Sequence, residues 1–167
     1  SYLIQVFLGF PFILFAIAVM FVFAELGVDK VFLALGLISW PPLARIVRGQ
    51  VMSIKEEEYI EAAQSLGASD LRIIAKHVIP NILAPIIVTV TLGVAGAILA
   101  EAGLSFLGLG TQPPRPSWGV MLKTGQEYIR SYPHMIWFPG LAIMIAVMGI
   151  NLLGDGLRDA LDPKMKD

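Results

Sequence analysis

The chain has 167 residues, 56% of them hydrophobic and only 15% charged, with no cysteine and a formal net charge of −1. A domain of this size buries only about two thirds of its extended surface, so a core cannot absorb so much apolar material and lipid must cover the rest. Near-neutral charge argues against a nucleic-acid surface, and the lack of cysteine excludes a disulfide scaffold and thiolate chemistry.

The apolar runs predict an all-α polytopic membrane bundle with about four spans, 2–24, 31–47, 82–100 and 135–153. Tyr2 to Ala24 carries no charge and is long enough to cross roughly 30 Å of hydrocarbon. Pro11 interrupts it, which a membrane helix tolerates when a neighbour satisfies the freed carbonyl. The chain opens on Ser1 with its apolar run almost at once, so it is expected to be a fragment that lacks an N-terminal region. Val31 to Val47 is the second span, and its adjacent Pro41 and Pro42 predict a kink.

From Arg48 to His77 charges are dense, prolines absent and helix formers dominant, which predicts one or two helices outside the lipid within a loop 48–80. Asn81 to Gly110 is a predominantly apolar run of thirty residues, about 45 Å if wholly helical and longer than the hydrocarbon is thick. The span is therefore placed from Ile82 to Ala100, with Glu101 at its exit and a bend or short interfacial element over Gly103 to Gly110. Residues 101–134 form the outer loop, broken by Pro113, Pro114 and Pro116, with a short helix around Val120 to Ile129. Met135 to Leu153 is the last span.

Charge predicts orientation. With loop 48–80 in the cytoplasm, that side holds Arg45, Arg48, Lys55, Arg72, Lys76, Arg158, Lys164 and Lys166. The other holds only Lys30, Arg115, Lys123 and Arg130, so the loop and both chain ends are placed inside.

Within the loop, Glu56-Glu57-Glu58-Tyr59-Ile60-Glu61-Ala62-Ala63-Gln64-Ser65-Leu66-Gly67 reads as an amphipathic helix with Tyr59, Ala63 and Leu66 on one face and Ala62 nearby. Gly67 permits a left-handed exit and close approach by another surface. Ser69-Asp70 is positioned to cap a second helix that runs through Lys76. The acidic cluster Glu56 to Glu58 argues against this helix lying on an anionic leaflet.

Glu101 is the only acid in the long apolar run: either it sits at the outer interface and simply caps or pairs, or with Ser39 and Ser105 it is a candidate for the pathway or its gate. Thr89 and Thr91 either line that path or bond back to their own helix. Gly93 and Gly96, beside Ala97 and Ala100, read as sites of close helix packing. His77 and His134 are predicted on opposite sides of the membrane, so they cannot share a metal. No phosphate-cradling Gly-x-x-x-x-Gly-Lys-Ser/Thr loop is present, so this chain is not itself an ATPase.

Glu61-Ala62-Ala63, three residues, Gly67, nine residues and then His77-Val78-Ile79-Pro80 resembles the cytoplasmic loop of binding-protein-dependent ABC importer permeases. Their pattern is Glu-Ala-Ala, three residues, Gly, nine residues, Ile-x-Leu-Pro. Here Ile79 stands for the leucine, a mild swap, and His77 for the isoleucine, which is similar to the dipeptide, oligopeptide and nickel branch. Trp40-Pro41, Val47 to Gln50, Ala100 to Gly110, Pro113 to Gly119 and Asn151 to Pro163 are similar to the second permease subunit of that branch.

The resemblance implies half of a translocation pathway in a bacterial or archaeal inner membrane, carrying di- or oligopeptides, or alternatively nickel or another small solute. An ion-coupled secondary transporter is the other class, but repeated halves and a midplane acid are missing from the sequence. Implied partners are a homologous second permease subunit, two cytoplasmic ATPase subunits that hold ATP and Mg²⁺, and an extracytoplasmic solute-binding protein. No cofactor belongs to this chain. The implied ATPase-coupling residues are Tyr59, Glu61, Ala62, Ala63, Leu66, Gly67 and Pro80.

Overall fold

The computed structural model describes residues 4–5, 9, 11–22 and 28–161. Every regular element among them is helical: α1 (Phe12–Val22), α2 (Val28–Lys55), α3 (Glu58–Ser65), α4 (Asp70–Ile73), α5 (Ile79–Phe106), α6 (Trp118–Glu127) and α7 (His134–Leu161), with a π-helical turn Ile74–Val78 between α4 and α5. Three segments are long and apolar enough to cross a membrane: Asp29–Lys55, Asp70–Phe106 and His134–Leu161. The first expected span, 2–24, lies partly outside the described residues; its described stretch Phe12–Val22 is helical.

All three long helices run beyond the expected apolar cores. α2 continues through Pro41 and Pro42 and on to Lys55. The second long segment begins at Asp70, ten residues before Pro80. Pro80 offers no amide hydrogen and its ring crowds the carbonyl one turn back. The wide turn just before it absorbs that crowding, and the Asn81 side-chain amide donates to the His77 carbonyl at 2.7 Å. α4, the turn and α5 thus make one rod of 37 residues, about 55 Å long. Even tilted by about 40° it outspans roughly 30 Å of hydrocarbon, so its ends project beyond the lipid.

α5 packs most extensively on α7, α6 lies against both, α2 joins α5 and α1 joins α2. Gly154 makes the α5–α7 approach close: a Cβ there would sit 2.7 Å from Leu92 Cδ2. Gly93 and Gly96 do not serve this purpose within the chain, because nothing lies within 4 Å of a Cβ at either. Leu83, Ile87, Val90 and Val94 form an uncovered stripe along α5, as do Trp137, Leu141, Met144, Met148 and Leu152 along α7. Apolar stripes of this length are stable only against lipid or other apolar helices.

Candidate functional site

An eight-residue helix is too short to hold itself in water, so α3 depends on what it packs against. Ile60, 1% exposed, is its anchor. Ile60 meets Ile54 at the end of α2 together with Ile73, Val78 and Ile82 along the rod; Val47, Val51, Ala63, Ala68 and Ile86 pack around them. The short helix is thereby fastened to two long helices at once. Ile60 was not singled out in the sequence, although it is the one large aliphatic residue from Glu56 to Ser65, which is the signal that identifies it.

Gly67 ends α3 in the left-handed conformation with φ 80°. The Ala68 amide donates to the Ala63 carbonyl at 3.0 Å and the Gly67 amide to the Gln64 carbonyl at 2.9 Å, the paired bonds of a Schellman closure. Ser69 precedes α4 as expected, in extended backbone, but its side chain makes no capping bond. Exposed to water, the hydroxyl gains little by turning back.

The expected coupling residues do not all point the same way. Tyr59, Glu61, Ala62, Leu66 and Gly67 are exposed, Leu66 to 89%, whereas Ala63 is half-buried on the Ile60 side. The open face is thus Tyr59, Ala62 and Leu66, and the inner one Ile60 and Ala63. Pro80 is exposed on a different element, the first turn of α5. The His77 ring, in the π-helical turn, lies 5.9 Å from that of Tyr59 at 42°, so the histidine braces the aromatic end of the open face.

Space above Gly67 is open, with nothing within 4 Å of a Cβ. Its requirement for glycine is therefore conformational in the isolated chain. Gly67→Ala is expected to cost about 1–2 kcal/mol, and Gly67→Asn clearly less because asparagine tolerates this backbone. Thermal unfolding of the two variants checks the order.

At the far end of α5, Glu101 and Ser105 come together, and Thr111 joins them. Ser105 Oγ donates to Glu101 Oε1 at 2.6 Å and Thr111 Oγ1 to the same oxygen at 2.9 Å. The Thr111 amide donates to Ser105 Oγ at 2.9 Å. Ser105 is 1% and Thr111 4% exposed, while Glu101 is half-buried. With these donors Glu101 has no need to leave the helix, which continues to Phe106 instead of bending from Gly103. It closes at Gly108, φ 80°, where the Leu109 amide donates to the Leu104 carbonyl at 2.8 Å and the Gly108 amide to the Ser105 carbonyl at 3.0 Å.

Two glycines let the segment that follows α5, residues 107–119, lie directly on this end. A Cβ at Gly110 would overlap Ser105, and one at Gly119 would overlap the Ala102 carbonyl oxygen and approach Ser105 Cβ to 2.7 Å. Gly119→Ala is expected to destabilise the fold by about 1–3 kcal/mol, because a backbone carbonyl cannot move aside as a side chain can. A lowered Tm of the purified protein would register it. Ser39 is not part of this group: it is exposed and its hydroxyl donates to the Gly36 carbonyl at 3.4 Å. Thr89 and Thr91 also bond back, to Pro85 and Ile87.

No group of three or more His, Cys, Asp or Glu side chains that could hold a metal ion occurs among the described residues. The family model for the binding-protein-dependent transport system inner membrane component matches residues 1–167. A dipeptide transport system permease protein of Alkalihalophilus pseudofirmus is 48% identical over 166 residues, covering 99% of this chain and 54% of that protein. A glutathione transport system permease protein of Escherichia coli is 46% identical over 162 residues, 97% of this chain and 53% of that protein; its Shigella flexneri counterpart matches equally. The chain spans about half the length of the curated relatives it matches.

Proposed function

Because this chain belongs to the family of binding-protein-dependent transport system inner membrane components, we propose that it forms half of the translocation pathway of an ATP-driven importer for short peptides. Two relatives named for dipeptide and glutathione transport, the latter solute itself a short peptide, support the solute class. In this reading the bundle has four spans, counting the one that includes α1. The α3 loop and the C-terminus face the cytoplasm, as the distribution of arginine and lysine favours. A homologous permease completes the pathway, two ATPase subunits bind ATP and Mg²⁺ and hydrolyse the ATP, and an extracytoplasmic binding protein delivers the peptide.

The observation that carries the proposal is the fastening of α3 to the rod through Ile60, with Tyr59, Ala62 and Leu66 left open. An ATPase groove that receives this open face can push on α3. The Ile54, Ile60, Ile73, Val78 and Ile82 cluster then hands the push to the inner ends of α2 and the rod. Glu61 and its acidic neighbours orient the contact more than they strengthen it, since wet ion pairs contribute little. Gly67 keeps the turn low, so that the ATPase surface reaches the backbone. Pro80, in the first turn of α5 and not on α3, acts through the rod's geometry.

Purifying the assembled complex tests the function. The permease pair is expected to retain the ATPases, and adding peptide-loaded binding protein to raise ATP hydrolysis. Gly67→Arg is expected to abolish retention. A complex that carries peptide with no ATPase attached contradicts the proposal.

A further inference from the structure

The rod Asp70–Phe106 has α3 fastened at one end and the Glu101, Ser105 and Thr111 cluster at the other. From these two attachments we infer that Glu101 is a positioning residue: it clasps the outer segment 107–119 to the rod, so that motion imposed at α3 reaches the outer face of the pathway. This rests on the function proposed above.

Packing alone does not make the clasp. Leu109 packs beside Leu104, its amide and that of Gly110 donate to the Leu104 carbonyl at 2.8 and 3.1 Å, and Gly110 and Gly119 bring the outer segment against Ser105 and Ala102. Glu101 supplies direction. A single carboxylate oxygen collects one hydroxyl from its own helix and one from the outer segment. The Thr111 amide closes the triangle through Ser105 Oγ. Hydrogen bonds to a carboxylate oxygen are stronger than neutral ones, and at the edge of a low-dielectric layer each broken bond leaves a polar group poorly solvated. Separation of the outer segment from the rod therefore breaks several bonds together, and the two elements travel as one.

A second feature extends the attachment. α6 begins at Trp118 under a cap in which Ser117 Oγ accepts from the Val120 amide at 3.2 Å, and it packs on both α5 and α7. A displacement of the rod's outer end thus carries α6 with it. The lining of the adjoining apolar cleft, from Pro113 to Pro116 with Val120 and Met121, is part of the same body.

The test uses the complete importer in nanodiscs, with a bimane fluorophore on a cysteine replacing the exposed Arg115 of the outer segment. Its emission is read before and after trapping the ATPases with ATP and vanadate, and ATP hydrolysis is followed in parallel. In the otherwise unaltered complex, trapping is expected to shift the emission. Glu101→Ala is expected to shrink the shift about fivefold or more, the low end of a typical coupling factor. Thr111→Val, which keeps the amide bond and the branched shape, is expected to shrink it about twofold. Glu101→Gln, which retains an acceptor oxygen, should recover part of what alanine loses.

An unchanged shift in either Glu101→Ala or Thr111→Val overturns the inference. So does a glutamine variant no better than alanine, which would reduce the contact to packing, and so does an outer segment that never responds to trapping while ATP is hydrolysed. Failure of the proposed function looks different: no ATPase would be retained and no hydrolysis seen even before Glu101 is altered.

Discussion

Replacing Leu66 by glutamate is expected to release the ATPase from the permease and leave the permease folded. Leu66 is 89% exposed and caps α3 with φ −81° and ψ 4°, a backbone that any residue adopts. Its loss should therefore change folding stability by no more than about 0.5 kcal/mol. In the complex the same side chain would fill an apolar pocket. Truncation of such an anchor costs about 2 kcal/mol or more, so Leu66→Ala should weaken the contact by about thirtyfold, and a buried carboxylate should weaken it further. Size-exclusion chromatography of the detergent-solubilised complex separates the outcomes. Coelution of the ATPase with Leu66→Glu at the unaltered ratio would remove this residue from the interface.

Ile60→Ala is expected to have the opposite character. The side chain is 1% exposed among five buried aliphatics, so its truncation should cost about 2–5 kcal/mol. A two-turn helix has no such reserve of its own, and the loss falls on the attachment of α3 before it falls on the bundle. Amide hydrogen exchange is expected to accelerate across residues 58–68 and to stay slow in α5 and α7. With the ATPase still able to meet a loosened α3, hydrolysis should continue while transport falls. Leu66 and Ile60 thus separate grip from transmission, and exchange rates in α3 unchanged by Ile60→Ala would contradict the fastening described here.

How much of this was legible beforehand follows from physical range. Long uncharged runs between Val31 and Leu153 announce membrane helices because no soluble core accommodates them, and three helices long and apolar enough to cross a membrane are present among the described residues. Helix ends are a local contest that apolarity does not decide. α5 passes Glu101 and Gly103 because Ser105 and Thr111 satisfy the carboxylate, a contact between residues ten apart that no helical period reveals. The rod Asp70–Phe106 starts before Pro80 because a π-helical turn accommodates the ring.

In the short helix, Gly67 was readable as a left-handed terminus, since that conformation excludes most other residues. Which face looks outward was only half readable. Periodicity places Tyr59, Ala63 and Leu66 together, yet burial of Ile60 turns Ala63 inward and leaves Ala62 on the open side. That choice is made by Ile54, Ile73, Val78 and Ile82, which belong to other helices. Likewise Gly93 and Gly96 resemble packing glycines in sequence, whereas within this chain the close approaches between helices fall at Gly119, Gly125 and Gly154.

The central claim is that α3 is the place where an external motor grips this membrane protein. A cysteine in place of the exposed Ser65, in the assembled complex, tests it by crosslinking to cysteines along the ATPase groove. The account predicts crosslinks formed from the cytoplasmic side, with a yield that changes on nucleotide binding. A Ser65→Cys variant that links to no groove position in any nucleotide state, or that is labelled only from outside the cell, would contradict it.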